Sequence, residues 1–118
     1  MFEVIDIKPK IGSEVRIDRD AFLAGTYAKE IEQLLVERSA LVFRGINLTA
    51  AEQRQFARTI GTITDQGDDG LSLISMNPQV SSVAGYTRGA FYWHIDGAND
   101  LIPAKATMLS AQVLAEEG

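Results

Sequence analysis

The chain has 118 residues, of which 46% are hydrophobic and 23% charged, the proportions of one ordinary globular domain or part of one. Its formal net charge is -5 and its sequence pI about 4.7, which argues against binding to nucleic acid or to an anionic membrane surface. It contains no cysteine, which excludes disulfides, zinc–thiolate sites, iron–sulfur clusters and a cysteine nucleophile. We therefore expect a cytoplasmic protein with no nucleic-acid or membrane partner.

The N-terminal segment has the pattern of a β-hairpin. Residues 2–7 alternate apolar and polar side chains, and residues 14–18 do so again. Alternation with a period of two predicts half-buried strands. Gly12 and Ser13 supply the turn between them.

A helical period follows the hairpin. Apolar residues between positions 27 and 38 recur every three or four residues, which predicts an amphipathic helix with a charged outer face. Residues 40–44 form an apolar run that predicts a buried strand ended by Gly45. Thr49 and Glu52 have the spacing of a capping box, which predicts a second helix that continues to Gly61.

The rest of the chain is predicted to be loops and strands. Polar and glycine-rich stretches predict loops at residues 64–70 and 85–89. Strands are predicted at residues 71–76, 79–84, 90–96 and 104–114.

One pair of side chains in the strand predicted at 90–96 has metal-binding chemistry. His94, the only histidine, stands two residues before Asp96. Residues two apart in a strand project from the same face. An imidazole and a carboxylate there are two of the three ligands of a 2-His-1-carboxylate iron site. The spacing by itself favours the alternative of two solvated side chains on an edge strand.

The order of these parts resembles the N-terminal part of the TauD/TfdA-like family of Fe(II)- and 2-oxoglutarate-dependent dioxygenases. The segments that carry the resemblance are Leu-Val-Phe-Arg-Gly at 41–45, the capped helix that ends with Phe-Ala-Arg-Thr-Ile-Gly at 56–61, Trp-His-Ile-Asp at 93–96, and Pro103 with the segment to residue 111. The resemblance covers nearly the whole chain.

The resemblance implies an α+β, mainly β fold: the N-terminal portion of a double-stranded β-helix, or jelly roll, with flanking helices. His94 matches the family's first histidine ligand and Asp96 its carboxylate ligand. Fe(II), 2-oxoglutarate and O2 are the implied cofactor and cosubstrates. The implied reaction hydroxylates a small organic substrate while 2-oxoglutarate loses carbon dioxide to become succinate.

The family's second histidine, its 2-oxoglutarate-binding arginine and a threonine after a Gly-Gly turn have no match in this chain. Residues 1–118 are therefore expected to be the N-terminal part of a single dioxygenase domain, truncated before the barrel closes and inactive alone. The expected partner is a small-molecule substrate, and a homo-oligomer of the full-length protein is left open. Two alternatives stay open: a non-catalytic α+β interaction module, and a truncated, inactive dioxygenase homologue.

The substrate is constrained by departures from the taurine-type members. Those members have a histidine shortly after the capped helix and an asparagine four residues before the metal histidine. This chain has Thr-Asp-Gln-Gly at 64–67 and Ala90 at those places, which argues against taurine itself. The candidate substrate-binding residues are Asn77, Tyr86, Arg88 and Tyr92, although a loop, turn or packing role is the alternative for each.

Overall fold

A computed structural model describes residues 1–64, 71–81, 84 and 91–117. The chain divides into two compact units. Unit 1 comprises residues 1–63 and 108–118, and unit 2 comprises residues 64–107. The loop predicted at 85–89 and most of the one at 64–70 lie outside the described residues.

Unit 1 begins with the predicted hairpin. Strand β1 (Phe2–Asp6) pairs antiparallel with β2 (Ser13–Ile17), and Phe2 faces Ile17 in the register. Gly12 has a φ of 83°, a left-handed conformation that glycine adopts at little cost. Alternate residues of β2 are buried, as the alternating sequence requires. The prediction of a hairpin is confirmed, but of the two residues predicted for its turn Ser13 is the first residue of β2 and pairs with Asp6.

The third strand is shorter than predicted. Strand β3 (Leu41–Val42) pairs parallel with β2, which gives a mixed sheet in the order β1-β2-β3. The prediction of a buried strand over residues 40–44 is wrong in length and burial, because Val42 is 37% exposed. The pairing stops because the chain turns at Gly45, where φ is 72°.

In residues 1–64, three helices follow or separate these strands: α1 (Arg19–Leu23), α2 (Ala28–Arg38) and α3 (Ala50–Ile60). Helix α2 confirms the prediction from the apolar period. Helix α1 was not predicted, because five residues are too few to show a period of 3.6.

Helix α3 has the predicted capping box. The Glu52 amide donates to Thr49 Oγ1 at 3.3 Å, and the Thr49 amide donates to Glu52 Oε2 at 2.9 Å. Two amides that the helix leaves without partners are thereby satisfied. The helix ends at Gly61 as predicted, but with an extended backbone rather than a left-handed one.

The core of unit 1 lies where the three helices and the sheet meet. The rings of Phe22 and Phe56 stack with their centroids 3.7 Å apart, and each residue is 2% exposed. The buried cluster consists of Ile17, Phe22, Ile31, Ile46, Leu48 and Phe56. Met108 packs against this cluster. The segment after unit 2 therefore returns to the core.

Two glutamine amides hold that returning segment. Gln53 Nε2 donates to the carbonyl of Met108 at 3.1 Å, and Gln112 Nε2 donates to the carbonyl of Leu48 at 3.3 Å. Each bond satisfies a main-chain carbonyl in a segment that has no sheet partner. Residues 108–112 are thus tied to α3 and to the chain before it.

Arg38 joins the end of α2 to the hairpin. Its Nε donates to Ser13 Oγ at 2.9 Å, and its Nη2 donates to the carbonyl of Lys8 at 2.6 Å. Ser13 is fully buried and donates in turn to Asp6 Oδ1 at 2.8 Å. A planar guanidinium suits this role because its donors point in several fixed directions.

The strands predicted in the second half are not formed by the described residues. The described parts of residues 71–76, 79–84, 90–96 and 104–114 contain no strand. A strand needs a hydrogen-bonded neighbour as well as an alternating sequence, and in the described part of the chain these segments pair with none. The α+β class is observed. The expectation of a mainly β fold is wrong for the described residues. The two longest helices have eleven residues each, whereas the strands have five or two.

Candidate metal centre

The side chains of His94 and Asp96 meet in unit 2. His94 Nε2 lies 3.2 Å from Asp96 Oδ1, and the two side chains are 50% and 68% exposed. The backbone from residue 93 to 95 is neither helix nor strand. The predicted spacing thus brings the two groups together without the predicted strand. Their role as metal ligands stays a prediction.

Local hydrogen bonds shape the backbone on both sides of this pair. His94 Nδ1 lies 2.8 Å from the main-chain carbonyl oxygen of Tyr92. After Asp96 the chain turns at Gly97, which has a φ of 64°, and the Asp100 amide donates to the Gly97 carbonyl at 3.0 Å. A side chain at residue 97 would be strained in this conformation. The turn therefore ends the extended segment directly after the carboxylate.

The donor atoms fit one edge of a metal site. Fe(II) accepts an imidazole nitrogen and a carboxylate oxygen. Two neighbouring donors, each about 2.1 Å from an ion in near-octahedral geometry, are about 3 Å apart. The observed separation of 3.2 Å between His94 Nε2 and Asp96 Oδ1 is close to that value. In the part of the chain that the structure describes, no group of three or more His, Cys, Asp or Glu side chains lies together.

Large apolar side chains around the pair are exposed. The exposed fractions are 79% for Phe91, 104% for Trp93 and 81% for Ile95. Packing of these neighbours therefore does not fix the conformation of the segment. Within the part of the chain that the structure describes, the hydrogen bond to Tyr92 and the turn at Gly97 restrain it locally.

The structure describes two of the four candidate substrate-binding residues, Asn77 and Tyr92. Asn77 lies in a turn, where its Oδ1 accepts from the Gln79 amide at 2.9 Å. The Tyr92 side chain is 79% exposed. Tyr86 and Arg88 lie outside the described residues, so their assignment stays a prediction.

One contact of the site was missed from the sequence: the carbonyl of Tyr92. Every residue has a main-chain carbonyl, so residue types do not distinguish this one. The two-residue separation from His94 is the only available signal, because side chains near a turn frequently bond to nearby main chain.

A comparison with protein families gives a match over residues 3–118 to the family described as Taurine catabolism dioxygenase TauD, TfdA family. The chain belongs to this family. TauD/TfdA proteins are typically dioxygenases, and iron and 2-oxoglutarate are inferred at the level of the family. The expected resemblance is thereby confirmed. No match was found among curated proteins or among solved structures.

A search of the described helices finds none with the length and apolar composition that crossing a bilayer requires.

Proposed function

We propose that this chain is the metal-binding N-terminal part of an Fe(II)- and 2-oxoglutarate-dependent dioxygenase that hydroxylates a small organic substrate. The observation that carries the proposal is the contact between His94 Nε2 and Asp96 Oδ1, which lies within the family match. When bound, Fe(II) supplies the oxidising chemistry with O2 and 2-oxoglutarate, which becomes succinate.

Within this proposal His94 and Asp96 are the two ligands from this chain. A neutral imidazole contributes a nitrogen donor, and an ionised carboxylate contributes a donor and one negative charge toward a divalent cation. Their side chains are 50% and 68% exposed, so neither is buried away from solvent. The chain has one histidine, so a second histidine ligand comes from elsewhere in the complete protein.

The domain is proposed to extend beyond these residues into the jelly roll of the family. That extension supplies the second histidine and the arginine for the far carboxylate of 2-oxoglutarate. Residues 1–118 alone are then inactive, since two ligands hold Fe(II) weakly. Asn77, Tyr86, Arg88 and Tyr92 remain the candidate contacts to substrate, and a cytoplasmic location is part of the same proposal.

The test uses the complete gene product that contains this chain. Anaerobic addition of Fe(II) and 2-oxoglutarate is expected to give a visible charge-transfer band, and addition of O2 to give succinate. His94→Ala and Asp96→Asn are both expected to abolish the band and the succinate. Asp100→Asn is the matched control, since it neutralises a carboxylate four residues after Asp96 and is expected to keep both signals.

An unchanged band in His94→Ala contradicts the assignment of the ligand. Melting curves with and without Fe(II) distinguish the proposed dioxygenase from the alternative of a non-catalytic interaction module. A ligand that binds only the folded state at about 100 times its Kd stabilises that state by about 2.7 kcal/mol. A melting temperature that Fe(II) leaves unchanged in the complete protein contradicts the proposal and favours that alternative.

A further inference from the structure

The hydrogen bond between His94 and its own main chain distinguishes the two ring nitrogens. His94 Nδ1 lies 2.8 Å from the Tyr92 carbonyl oxygen, a short and well-formed distance. A carbonyl oxygen only accepts hydrogen bonds, so in this contact Nδ1 is the nitrogen that donates. The other nitrogen, Nε2, faces Asp96 Oδ1 at 3.2 Å.

We propose that Tyr92 is a positioning residue whose main-chain carbonyl holds His94 so that Nε2, beside Asp96, is the nitrogen that takes the metal. This inference rests on the proposed function, because it assumes that His94 is a ligand. Metal-binding histidines commonly donate their other N–H to a carbonyl or carboxylate, which fixes both the tautomer and the ring orientation.

Among the described residues, this hydrogen bond and the contact with Asp96 are what restrain the ring. The His94 side chain is half exposed, so packing does not fix its rotamer. Trp93, between donor and acceptor, is fully exposed. The restraint therefore depends on the backbone conformation of residues 92–94 and is independent of the Tyr92 phenol.

The experiment uses the single imidazole of this chain as its own reporter. A long-range ¹H–¹⁵N spectrum of the ¹⁵N-labelled 118-residue chain contains one histidine, and its two nitrogens differ in coupling to the ring protons. Zn²⁺ is the probe, because it is diamagnetic and accepts the same nitrogen and oxygen donors. On titration the Nε2 resonance is expected to move, while Nδ1 keeps its hydrogen.

Three variants distinguish the contribution of the main chain at residues 92–94 from that of the Tyr92 and Trp93 side chains. Tyr92→Phe keeps the carbonyl and is expected to give the same spectrum and the same zinc affinity. Trp93→Gly adds backbone freedom between donor and acceptor and is expected to weaken zinc binding about two- to five-fold. Trp93→Ala is the matched control, because it removes the same exposed indole and keeps an ordinary backbone.

The outcomes distinguish a failure of the positioning role of Tyr92 from a failure of the proposed function. A zinc-dependent shift at Nδ1, with the hydrogen on Nε2, overturns the positioning role but leaves His94 as a ligand. Equal affinities of Trp93→Gly and Trp93→Ala also overturn it. A zinc titration that moves neither nitrogen, even at concentrations that fill a weak two-ligand site, contradicts the proposed function and this inference together. A loss of the Nε2 shift in Asp96→Asn supports both.

Discussion

Unit 1 and the described segment around His94 differ in how their conformations are held. In unit 1, Val15 and Phe56 are 1% and 2% exposed, whereas Phe91 and Ile95 near the candidate ligands are 79% and 81% exposed. Unit 1 is stabilised by burial, while the segment around His94 is shaped by a turn and a hydrogen bond between near neighbours. Unit 1 therefore has a buried core, whereas the side chains near the candidate ligands are exposed to solvent.

Polar groups show the same contrast. Among the described residues, no buried side-chain nitrogen or oxygen atom lacks a hydrogen-bond partner. In unit 1 this satisfaction comes from contacts over long sequence separations, such as those of Arg38 with Ser13 and of Gln112 with Leu48. At the candidate site the two polar contacts that His94 makes with described residues each span two residues. Substitutions in the two regions should therefore have very different effects on stability.

The largest expected effect is that of Phe56→Ala in unit 1. Removal of a buried ring that stacks on Phe22 is expected to lower the free energy of unfolding by about 3–5 kcal/mol. Phe91→Ala removes the same side chain from an exposed position and should change that free energy by less than about 0.5 kcal/mol. Urea denaturation followed by circular dichroism measures both. Equal losses would remove the distinction between the two regions.

A smaller decrease in the free energy of unfolding is expected when Arg38 is replaced by Leu. The change leaves Ser13 Oγ and several main-chain carbonyls of the hairpin without their donor, which costs about 1–3 kcal/mol. Arg38→Lys is expected to restore only part of this, because an ammonium lacks the planar fork. Arg58, exposed in the last turn of α3, provides the control substitution Arg58→Leu. A control loss as large as that of Arg38→Leu would argue against the specific contacts.

The cap of α3 is expected to contribute less. Thr49→Ala removes the acceptor for the Glu52 amide and should cost about 1 kcal/mol. Thr49→Ser keeps a hydroxyl at the same place and should retain most of the stability. Chemical denaturation of the three proteins side by side tests this order, and a Ser variant no better than the Ala variant would contradict it.

The smallest expected effect is a pH dependence from Glu52. The Thr49 amide, then Arg19 and the Thr49 hydroxyl, lower the pKa of Glu52 from 4.5 to about 2. A carboxyl whose pKa is lower in the folded state stabilises above its unfolded pKa. That stabilisation is lost as the pH falls from 4.5 toward 2. Glu52→Gln keeps a capping side chain and should flatten this part of the stability profile.

Other carboxyls limit how flat that profile becomes. Hydrogen bonds from Arg44 and Arg16 lower the pKa of Glu14, and the N-terminal ammonium lowers the pKa of Asp18. Their contributions have the same sign and remain in Glu52→Gln. A variant profile identical to that of the wild type would show that the pKa of Glu52 is not lowered in the folded chain.

The elements that the sequence predicted correctly depend on signals between near neighbours. The β1–β2 hairpin follows from two alternating runs and Gly12, and α3 follows from the four-residue box at its start. In contrast, residues 104–114 alternate as a strand would, yet in the structure Met108 packs on the core and no strand forms. Alternation shows that a segment is able to form a strand, whereas pairing depends on a distant partner.

The candidate site shows the same division. A two-residue spacing places His94 and Asp96 side by side in any extended backbone, so their contact could be anticipated without a sheet. The exposed fractions of the two side chains could not be anticipated, because burial depends on which other segments cover the residues. The role of the Tyr92 carbonyl depends on backbone angles, which residue types alone do not determine.

Because Met108 completes the packing of unit 1, a nascent chain cannot finish that core until the whole excursion of residues 64–107 has been synthesised. The entropic penalty for closing such an excursion grows slowly, by about 0.6 kcal/mol for each doubling of its length. Insertions or deletions within residues 64–107 that avoid residues 92–97 should therefore change the stability of unit 1 little. The parts of residues 64–107 on either side of the candidate ligands are therefore free to change in length during evolution while the core of unit 1 stays the same.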